Sequence, residues 1–307
     1  MWSKYCKKEH HIETADNLRL GGLHQYRSIE AVELRDTNEG RFDFRIALDS
    51  VRTTVQWCEE VPLLGMVEAL SAGRTIARNN DVTLSLEGDG LPGSVRAVSQ
   101  SISTKADGGG LIVANGRVHL QYDAPNALIF CMSGADDNPF EGYDAHWSIT
   151  RDQVEVFSRL LAQRITARLF DLSYTHPING RCRVERLEAT NEKWPIEIFN
   201  TAQPADRVGV SSVGIKCRVS DVVYSTREIE ITEEAQLSRS DLLNWIADAA
   251  FTKEKHFSRE KELRFVFQPY VESHVGHLAF LSFDLEYLDI EIDEDLRKEW
   301  LYMQSET

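Results

Sequence analysis

Two glutamates and an arginine alternate along a short stretch in the C-terminal third of the chain. Residues 259–268 read REKELRFVFQ, and a strand from Arg259 onward would place three charged side chains on one face: Glu260, Glu262 and Arg264. The opposite face would be apolar and consists of Leu263, Phe265 and Phe267. A pair of carboxylates on one face suits general acid–base chemistry or the stabilisation of developing positive charge. The same alternation also fits an ordinary half-exposed strand whose charges are merely solvated.

Two further segments combine a predicted strand with polar side chains. The first is LHQYRS at residues 23–28, which follows a turn predicted at Gly21-Gly22 and carries polar groups on both faces. The second is NALIFCMS at residues 126–133, an apolar run that ends in Ser133 and predicts a central strand buried on both faces. Chemistry at the two glutamates would need partners from such distant segments.

In this order the three segments resemble the motifs of a widespread, poorly characterised bacterial family. Members of that family open with a Tyr-x-Tyr-Arg-Ser-like strand, carry a Cys-Phe-Ser-like strand in mid-chain and close with a Glu-Lys-Glu-Trp-Arg-like strand. The matching residues here are 24–28 (HQYRS), 131–133 (CMS) and 260–264 (EKELR). The closing motif is the most specific part of the match.

The same order is similar to the NAD site of mono-ADP-ribosyltransferases, where an Arg or His strand, a Ser strand and a Glu-x-Glu strand surround the dinucleotide. That resemblance implies that NAD is a substrate of this chain. It assigns the grip on NAD to Arg27 or, in the His variant of the motif, to His24, with Tyr26 between them. Ser133 matches the position that shapes the nicotinamide pocket.

The closing motif of that site implies the catalytic roles. Glu262 would hydrogen-bond the nicotinamide ribose and stabilise the positive charge that builds as the glycosidic bond breaks. Glu260 would orient or deprotonate the acceptor. Tyr143 and Trp147, in the loop after the mid-chain strand, would stack on the nicotinamide ring. The implied reaction is cleavage of the nicotinamide–ribose bond, with transfer of ADP-ribose to an acceptor or to water.

Each of these residues also has a purely structural interpretation. Arg27 is close in sequence to Asp36 and Glu39 and could form an ion pair with either. Ser133 could simply end a strand, and the two aromatic residues of the loop could pack in the core. A change of one residue in strand register would also exchange His24 and Arg27 between the two faces.

Two departures from the transferase pattern favour a second hypothesis. The mid-chain motif is Cys-Met-Ser rather than Ser-Thr-Ser. Arg264 shares the predicted carboxylate face, where it would neutralise Glu262 or Glu260. The alternative is therefore a non-catalytic module that binds a protein or a small ligand, as a component of a bacterial stress response, toxin system or phage defence would.

Length and composition indicate an ordinary folded protein. The chain has 307 residues, of which 42% are hydrophobic, and its formal net charge of −15 disfavours nucleic acid as a partner. The five cysteines form no Cys-x-x-Cys pair and suit the reduced thiols of a cytoplasmic protein. Cys6, His10 and His11 lack a second ligand pair, so no metal site is predicted. The polar N-terminus and the apolar runs predict neither a signal peptide nor a membrane span.

The mixture of strands and helices, without a regular βαβ rhythm, predicts an α+β fold with mixed or mostly antiparallel sheets and a few flanking helices. We expect a flexible arm at residues 1–17, a single domain at 18–290 and an acidic tail at 291–307. A β-rich insertion in that domain is predicted at about 81–125, where Asn115-Gly116 is a typical hairpin turn.

Three helical segments are predicted along the chain. The clearest begins after Thr150, which has capping-box spacing to Gln153, and extends to about Phe170. Another begins near Ser240, and residues 62–70 form a short helix or a buried turn.

Overall fold

The computed structural model of the chain describes most of its residues. The described residues are 1–28, 36–48, 51–53, 83–85, 94–107, 110–135, 137–138, 140–169, 183–186, 196–202, 210–232, 245, 248–273, 278–282, 285–294 and 296–297. Within them the chain is mostly antiparallel sheet with few helices, which confirms the predicted α+β class.

One helix and a series of strands make up the regular structure of these residues. The helix is α1 (Val154–Leu169). The strands are β1 (Trp2–Cys6), β2 (Asn17–Gly22), β3 (Arg41–Leu48), β4 (Val51–Thr53), β5 (Thr83–Ser85), β6 (Ser94–Asp107), β7 (Gly110–Asp123), β8 (Leu128–Ser133), β9 (Ala145–Ile149), β10 (Arg183–Arg186), β11 (Ile196–Ala202), β12 (Val210–Asp221), β13 (Val223–Tyr224), β14 (Glu228–Thr232), β15 (Thr252–Lys253), β16 (Glu262–Ser273), β17 (Leu278–Phe280) and β18 (Tyr287–Glu291).

The chain forms two compact units where a single domain was predicted. The first unit comprises Met1–Glu39, Asn126–Ser225 and Lys253–Thr307. The second comprises Gly40–Pro125 and Thr226–Thr252. All of the predicted site residues belong to the first unit.

The first unit is built on one large sheet, in which the described strands follow the order β10-β11-β12-β16-β8-β1-β9. α1 packs against β11 and β12 on one face of this sheet. The helix begins as predicted, because the Thr150 and Gln153 side chains form the capping box. Its Phe157 ring lies 5.6 Å from Phe130 of β8 and 5.7 Å from Phe265 of β16. The core of the unit therefore joins the helix to the two central strands.

β16 and β8 are antiparallel neighbours at the centre of the sheet. Their register places Glu262 opposite Ser133 and Arg264 opposite Cys131. The period of two along β16 directs Leu263, Phe265 and Phe267 into the α1 core, where each is fully buried. The charged face of the same strand is also buried, so that β16 is not the half-exposed strand that its alternation permits.

The second unit contains the sheet β14-β3-β7-β6-β5, with β4 beside β7. The alternating residues Phe42, Phe44 and Ile46 of β3 are all buried. β5, β6 and β7 account for much of the predicted β-rich segment at 81–125. β6 and β7 pair along almost their entire length.

The prediction of a hairpin turn at Asn115-Gly116 is wrong. Both residues lie inside β7, where their Cα partners are Ser103 and Ile102 of β6. β6 instead ends at Asp107 and β7 begins at Gly110, and these two residues are Cα partners. The Asn-Gly pair lies next to a shift in register between Ser103 and Thr104 of β6.

The prediction of a flexible N-terminal arm is also wrong for residues 2–6. They form β1, which pairs with β9 from Trp2 to Cys6 and with β8 at Ser3 and Ser133. The strand is held because its backbone groups complete the sheet between two other strands. Further along, Ile12 is buried in the same core as α1.

The segment LHQYRS at residues 23–28 forms a turn rather than the predicted strand. Residues 25–27 form a single 3-10 turn, and the glycines that precede it belong to β2. A Cβ atom on Gly22 would lie 2.7 Å from the carbonyl oxygen of Leu285, so this glycine allows a close backbone approach rather than a change of direction.

Several predictions lie wholly or largely outside the described residues. They are the short helix or buried turn at 62–70, the helix from Ser240 and the end of the acidic tail.

Candidate functional site

Three carboxylates and two cations form a continuous chain of ion pairs in the first unit. The Arg264 Nε donates to Glu262 Oε1 at 2.5 Å, and its Nη1 donates to Glu39 Oε1 at 2.6 Å. The Lys253 Nζ lies 2.8 Å from Glu262 Oε2 and 2.8 Å from Glu260 Oε2. The order is therefore Glu39, Arg264, Glu262, Lys253 and Glu260. We call these five residues the charge chain.

The charge chain is buried along its whole length. The exposed fractions of its residues range from 0% for Glu39 to 5% for Glu260. Isolated charges at such depth would be very unfavourable, but the alternating signs pair each carboxylate with a neighbouring cation. Glu262 lies at the centre, with each of its two oxygens engaged by a different cation.

A left-handed residue brings Glu260 into the charge chain. Residues 255–260 form a 3-10 helix rather than the predicted start of the strand. Lys261 then adopts φ 43°, a conformation that costs a non-glycine residue about 1 kcal/mol or more. Glu260 precedes β16 and Glu262 is its first residue. The bend at Lys261 between them lets both carboxylates contact the same Lys253 ammonium.

Hydrogen bonds from neighbouring strands fix both glutamates in place. The Ser133 hydroxyl donates to the backbone oxygen of Glu260 at 2.5 Å, which ties the end of β8 to the bend. The backbone N–H of Glu262 donates to the Tyr224 hydroxyl at 2.8 Å. The backbone N–H of Ser225 donates to the backbone oxygen of Lys253 at 2.9 Å. This bond fixes the backbone of the residue whose ammonium both glutamates share.

Glu262 is held in its ionised form. Burial opposes ionisation, but the positive charges of Arg264 and Lys253 outweigh it and hold the pKa of Glu262 well below its usual range. The two cations are stabilised in return, because Glu262 keeps the pKa of Lys253 above its ordinary value despite burial. The same carboxylate helps to keep the pKa of Arg264 above its ordinary value. The centre of the charge chain is therefore a fixed anion between two fixed cations.

Glu260 differs from Glu262 in its proton affinity. Burial raises the pKa of Glu260 to about 7, and the negative charge of Glu262 adds to that effect while Lys253 opposes it. Glu260 can therefore gain or lose a proton near neutral pH. Two neighbouring carboxylates with such different ionisation are the arrangement that acid–base enzymes use.

The end of the charge chain opens into a pocket of about 100 Å³. Glu260, Glu262 and Lys253 line it, together with Ser133 and Cys131 of β8. Its volume is smaller than the roughly 300 to 1,000 Å³ of drug-sized sites. The pocket therefore admits a single ring or a similar group rather than a whole dinucleotide.

Aromatic rings form another part of the pocket lining. Tyr5 of β1 and Phe140 lie edge to face at 6.1 Å, and Phe140 and Tyr143 do so at 5.8 Å. All three line the pocket, as does Tyr26 from the 3-10 turn. A flat or cationic group in the pocket would thus meet aromatic rings as well as the carboxylates.

The predicted site residues divide into two groups. Five of them line the pocket: Tyr26, Ser133, Glu260 and Glu262 from the three motifs, and Tyr143 from the loop after β8. His24, Arg27 and Trp147 are not among the described residues that line it.

The three other predicted residues have structural contacts instead. The Arg27 Nε donates to the backbone oxygen of Glu39 at 2.7 Å, so Arg27 contacts the residue suggested in its structural interpretation, but through the backbone. Trp147 is 5% exposed and its ring stacks on Phe130 at 5.9 Å, which places it in the core. The backbone N–H of His24 donates to the Asn126 side chain at 3.0 Å.

Sequence reasoning missed three charged residues of the site: Lys253, Glu39 and Lys4. Lys253 lies nine residues before Glu262 in the sequence, outside the predicted strand. The sequence suggests Glu39 only as a partner of Arg27, and it places Lys4 in the predicted flexible arm. The buried Arg264 was the available signal, because a guanidinium in a strand next to core residues requires carboxylate partners.

Comparisons with protein-family profiles, with curated proteins and with solved structures found no match for this chain. The resemblances stated from the three motifs therefore stay hypotheses. Among the described residues, no helix is long and apolar enough to cross a membrane. The chemistry of the pocket follows from its own residues.

The raised pKa of Glu260 predicts a specific pH dependence of stability. Because this pKa rises from 4.5 to about 7 on folding, the folded state binds more protons than the unfolded state between these values. The contribution of Glu260 to the free energy of unfolding therefore falls as the pH rises through that window. Glu260→Gln should gain stability relative to the natural protein between pH 4 and pH 8, by on the order of 1–3 kcal/mol.

Urea denaturation at a series of pH values measures this difference. Glu291→Gln on β18 is the matched control, because Glu291 is exposed and its substitution should change stability little at any pH. A difference between Glu260→Gln and the natural protein that stays constant from pH 4 to pH 8 would contradict the raised pKa.

Proposed function

We propose that this chain is an ADP-ribosyltransferase-like enzyme that cleaves the nicotinamide–ribose bond of NAD and passes ADP-ribose to an acceptor or to water. The observation that carries the proposal is the pair of neighbouring carboxylates in one pocket. Glu262 is held ionised, and Glu260 exchanges a proton near neutral pH. The order of the three sequence motifs agrees with this assignment.

Each carboxylate has a distinct role in the proposed reaction. The bond between the ribose and the nicotinamide nitrogen breaks, and its electron pair goes to the nicotinamide ring, which leaves as a neutral molecule. The ribose carbon gains positive charge, which the Glu262 anion stabilises in the transition state. Glu260 in its ionised form takes the proton of the incoming water or acceptor hydroxyl.

The size and the lining of the pocket suit the nicotinamide end of NAD. The nicotinamide of NAD is a flat, positively charged pyridinium ring, which aromatic side chains attract through their faces. Tyr5, Phe140 and Tyr143 provide such rings in the pocket lining. The adenosine and the pyrophosphate would then extend outside the pocket.

Nicotinamide release from NAD tests the proposed activity. The purified natural protein should release nicotinamide, and Glu262→Gln should lower kcat by about 100-fold or more, because the fixed anion is lost. Glu260→Gln should lower kcat by about the same factor and abolish the rise of rate with pH near 7. Glu291→Gln on the exposed edge of the same unit should retain full activity. A folded natural protein that neither binds NAD nor releases nicotinamide would contradict the proposal.

One observation favours a second candidate, a non-catalytic module that binds a protein or a small ligand. Both oxygens of Glu262 are engaged by cations, so its charge is partly neutralised before any substrate arrives. A protein that binds NAD or nicotinamide in this pocket without turnover would support the module and remove the enzyme.

A further inference from the structure

We propose that Glu39 is a positioning residue that sets the pH range in which Glu260 exchanges its proton. It would act through the other members of the charge chain rather than by touching the substrate. The inference rests on the proposed function for the role of Glu260 in catalysis. The geometry that supports it is independent of any substrate.

Glu39 is fully buried and does not line the pocket among the described residues. Its carboxylate contacts the Arg264 guanidinium at 2.6 Å, at the far end of the charge chain from Glu260. The loop around it is held by its own hydrogen bonds, since its backbone N–H donates to the Asp36 oxygen at 3.0 Å. The Arg27 Nε donates to its backbone oxygen at 2.7 Å. This contact gives Arg27 the task of holding Glu39 in place.

The effect of Glu39 follows from the alternation of charges. With all five residues ionised, the three carboxylates exceed the two cations by one negative charge. Glu39 competes with Glu262 for Arg264, so that less of the arginine's charge compensates Glu262. Glu262 then depends more on Lys253, which is the cation that Glu260 also contacts. Each step makes ionisation of Glu260 less favourable.

Removal of the Glu39 charge should reverse these steps. Arg264 would then compensate Glu262 alone, and the Lys253 ammonium would be more available to the ionised form of Glu260. The direct repulsion between the two terminal carboxylates would also be lost. Both changes have the same sign, and such effects persist over distance in a buried, poorly polarisable environment. Glu260 should therefore release its proton at a lower pH.

The buried titratable groups that contact Glu260 or share its pocket wall keep one ionisation state over the relevant range. Lys253 faces it from β15 and Glu262 from β16, and the first stays charged while the second stays ionised. Tyr224 of β13 stays neutral, since burial raises its pKa far above its ordinary value. Cys131 of β8 also stays a neutral thiol, because burial and Glu262 raise its pKa to about 12. Tyr26 stays neutral as well, because burial raises its pKa well above its ordinary value.

The carboxyl carbon of Glu260, followed by ¹³C NMR from pH 4 to pH 9 without any ligand, reports its protonation directly. Glu260→Gln identifies the signal. Glu39→Gln keeps the size of the side chain and removes its charge, and it should lower the protonation midpoint of Glu260 by about one pH unit. Glu291→Gln, an exposed carboxylate of the same unit, should leave the midpoint within about 0.2 pH units.

A variant at Arg264 separates an electrostatic effect from a loss of structure. Arg264→Gln should move the Glu260 midpoint to higher pH, opposite to Glu39→Gln. This variant measures the coupling along the charge chain even where Glu39→Gln alone does not fold, because Glu262 keeps its contact with Lys253, which in turn contacts Glu260.

Two results would overturn the inference: a midpoint in Glu39→Gln that equals that of the natural protein, or one that moves to higher pH. A midpoint in Arg264→Gln that does not move to higher pH would overturn it as well. These outcomes are distinguishable from failure of the proposed function, since the titration needs no turnover. If the Glu260 midpoint shifts in Glu39→Gln but the natural protein does not cleave NAD, the coupling between Glu39 and Glu260 stands and the proposed enzymatic role is wrong.

Discussion

The architecture of the first unit depends on the requirement that buried charges be paired. Arg264 projects from the central strand β16 into a region that water does not reach, and its guanidinium demands carboxylate partners. One partner, Glu262, lies two residues away on the same strand, whereas the other, Glu39, precedes Arg264 by 225 positions. The loss of Arg264 would leave Glu39 without this cation and Glu262 with only one, and breaking such buried pairs typically costs about 3–5 kcal/mol. Ion pairing thus draws remote segments together at one site.

The hydrophobic core and the charge chain occupy opposite faces of the same strand. Phe265 of β16 packs against Phe130 and Phe157 on the side of α1. Arg264 and Glu262, one residue and three residues before Phe265, point the other way and are also buried. Because rigid packing fixes the backbone of β16, the carboxylates on its other face are held within narrow limits. A site that depends on differences in proton affinity requires that precision.

Local spacing predicted the elements of the site better than it predicted their assembly. The period of two in β16 and the capping box before α1 are properties of neighbouring residues, so they are readable from the sequence. Lys253 and Glu39 join the site through contacts that no local pattern specifies. The turn at Gln25–Arg27 was predicted as a strand because the alternation of LHQYRS extends over too few residues to decide between them. Asn115-Gly116 misled for a related reason, because the pairing of β6 with β7 overrode a local turn preference.

The central claim is that Glu262 stays ionised between two cations while its neighbour Glu260 titrates near neutral pH. The carboxyl-carbon chemical shift of Glu262, measured by ¹³C NMR between pH 4 and pH 9 and assigned with Glu262→Gln, tests that claim most directly. The account predicts the shift of an ionised carboxylate across the whole range, because Arg264 and Lys253 hold the pKa of Glu262 well below its usual value. A protonation step of Glu262 within that range would contradict it.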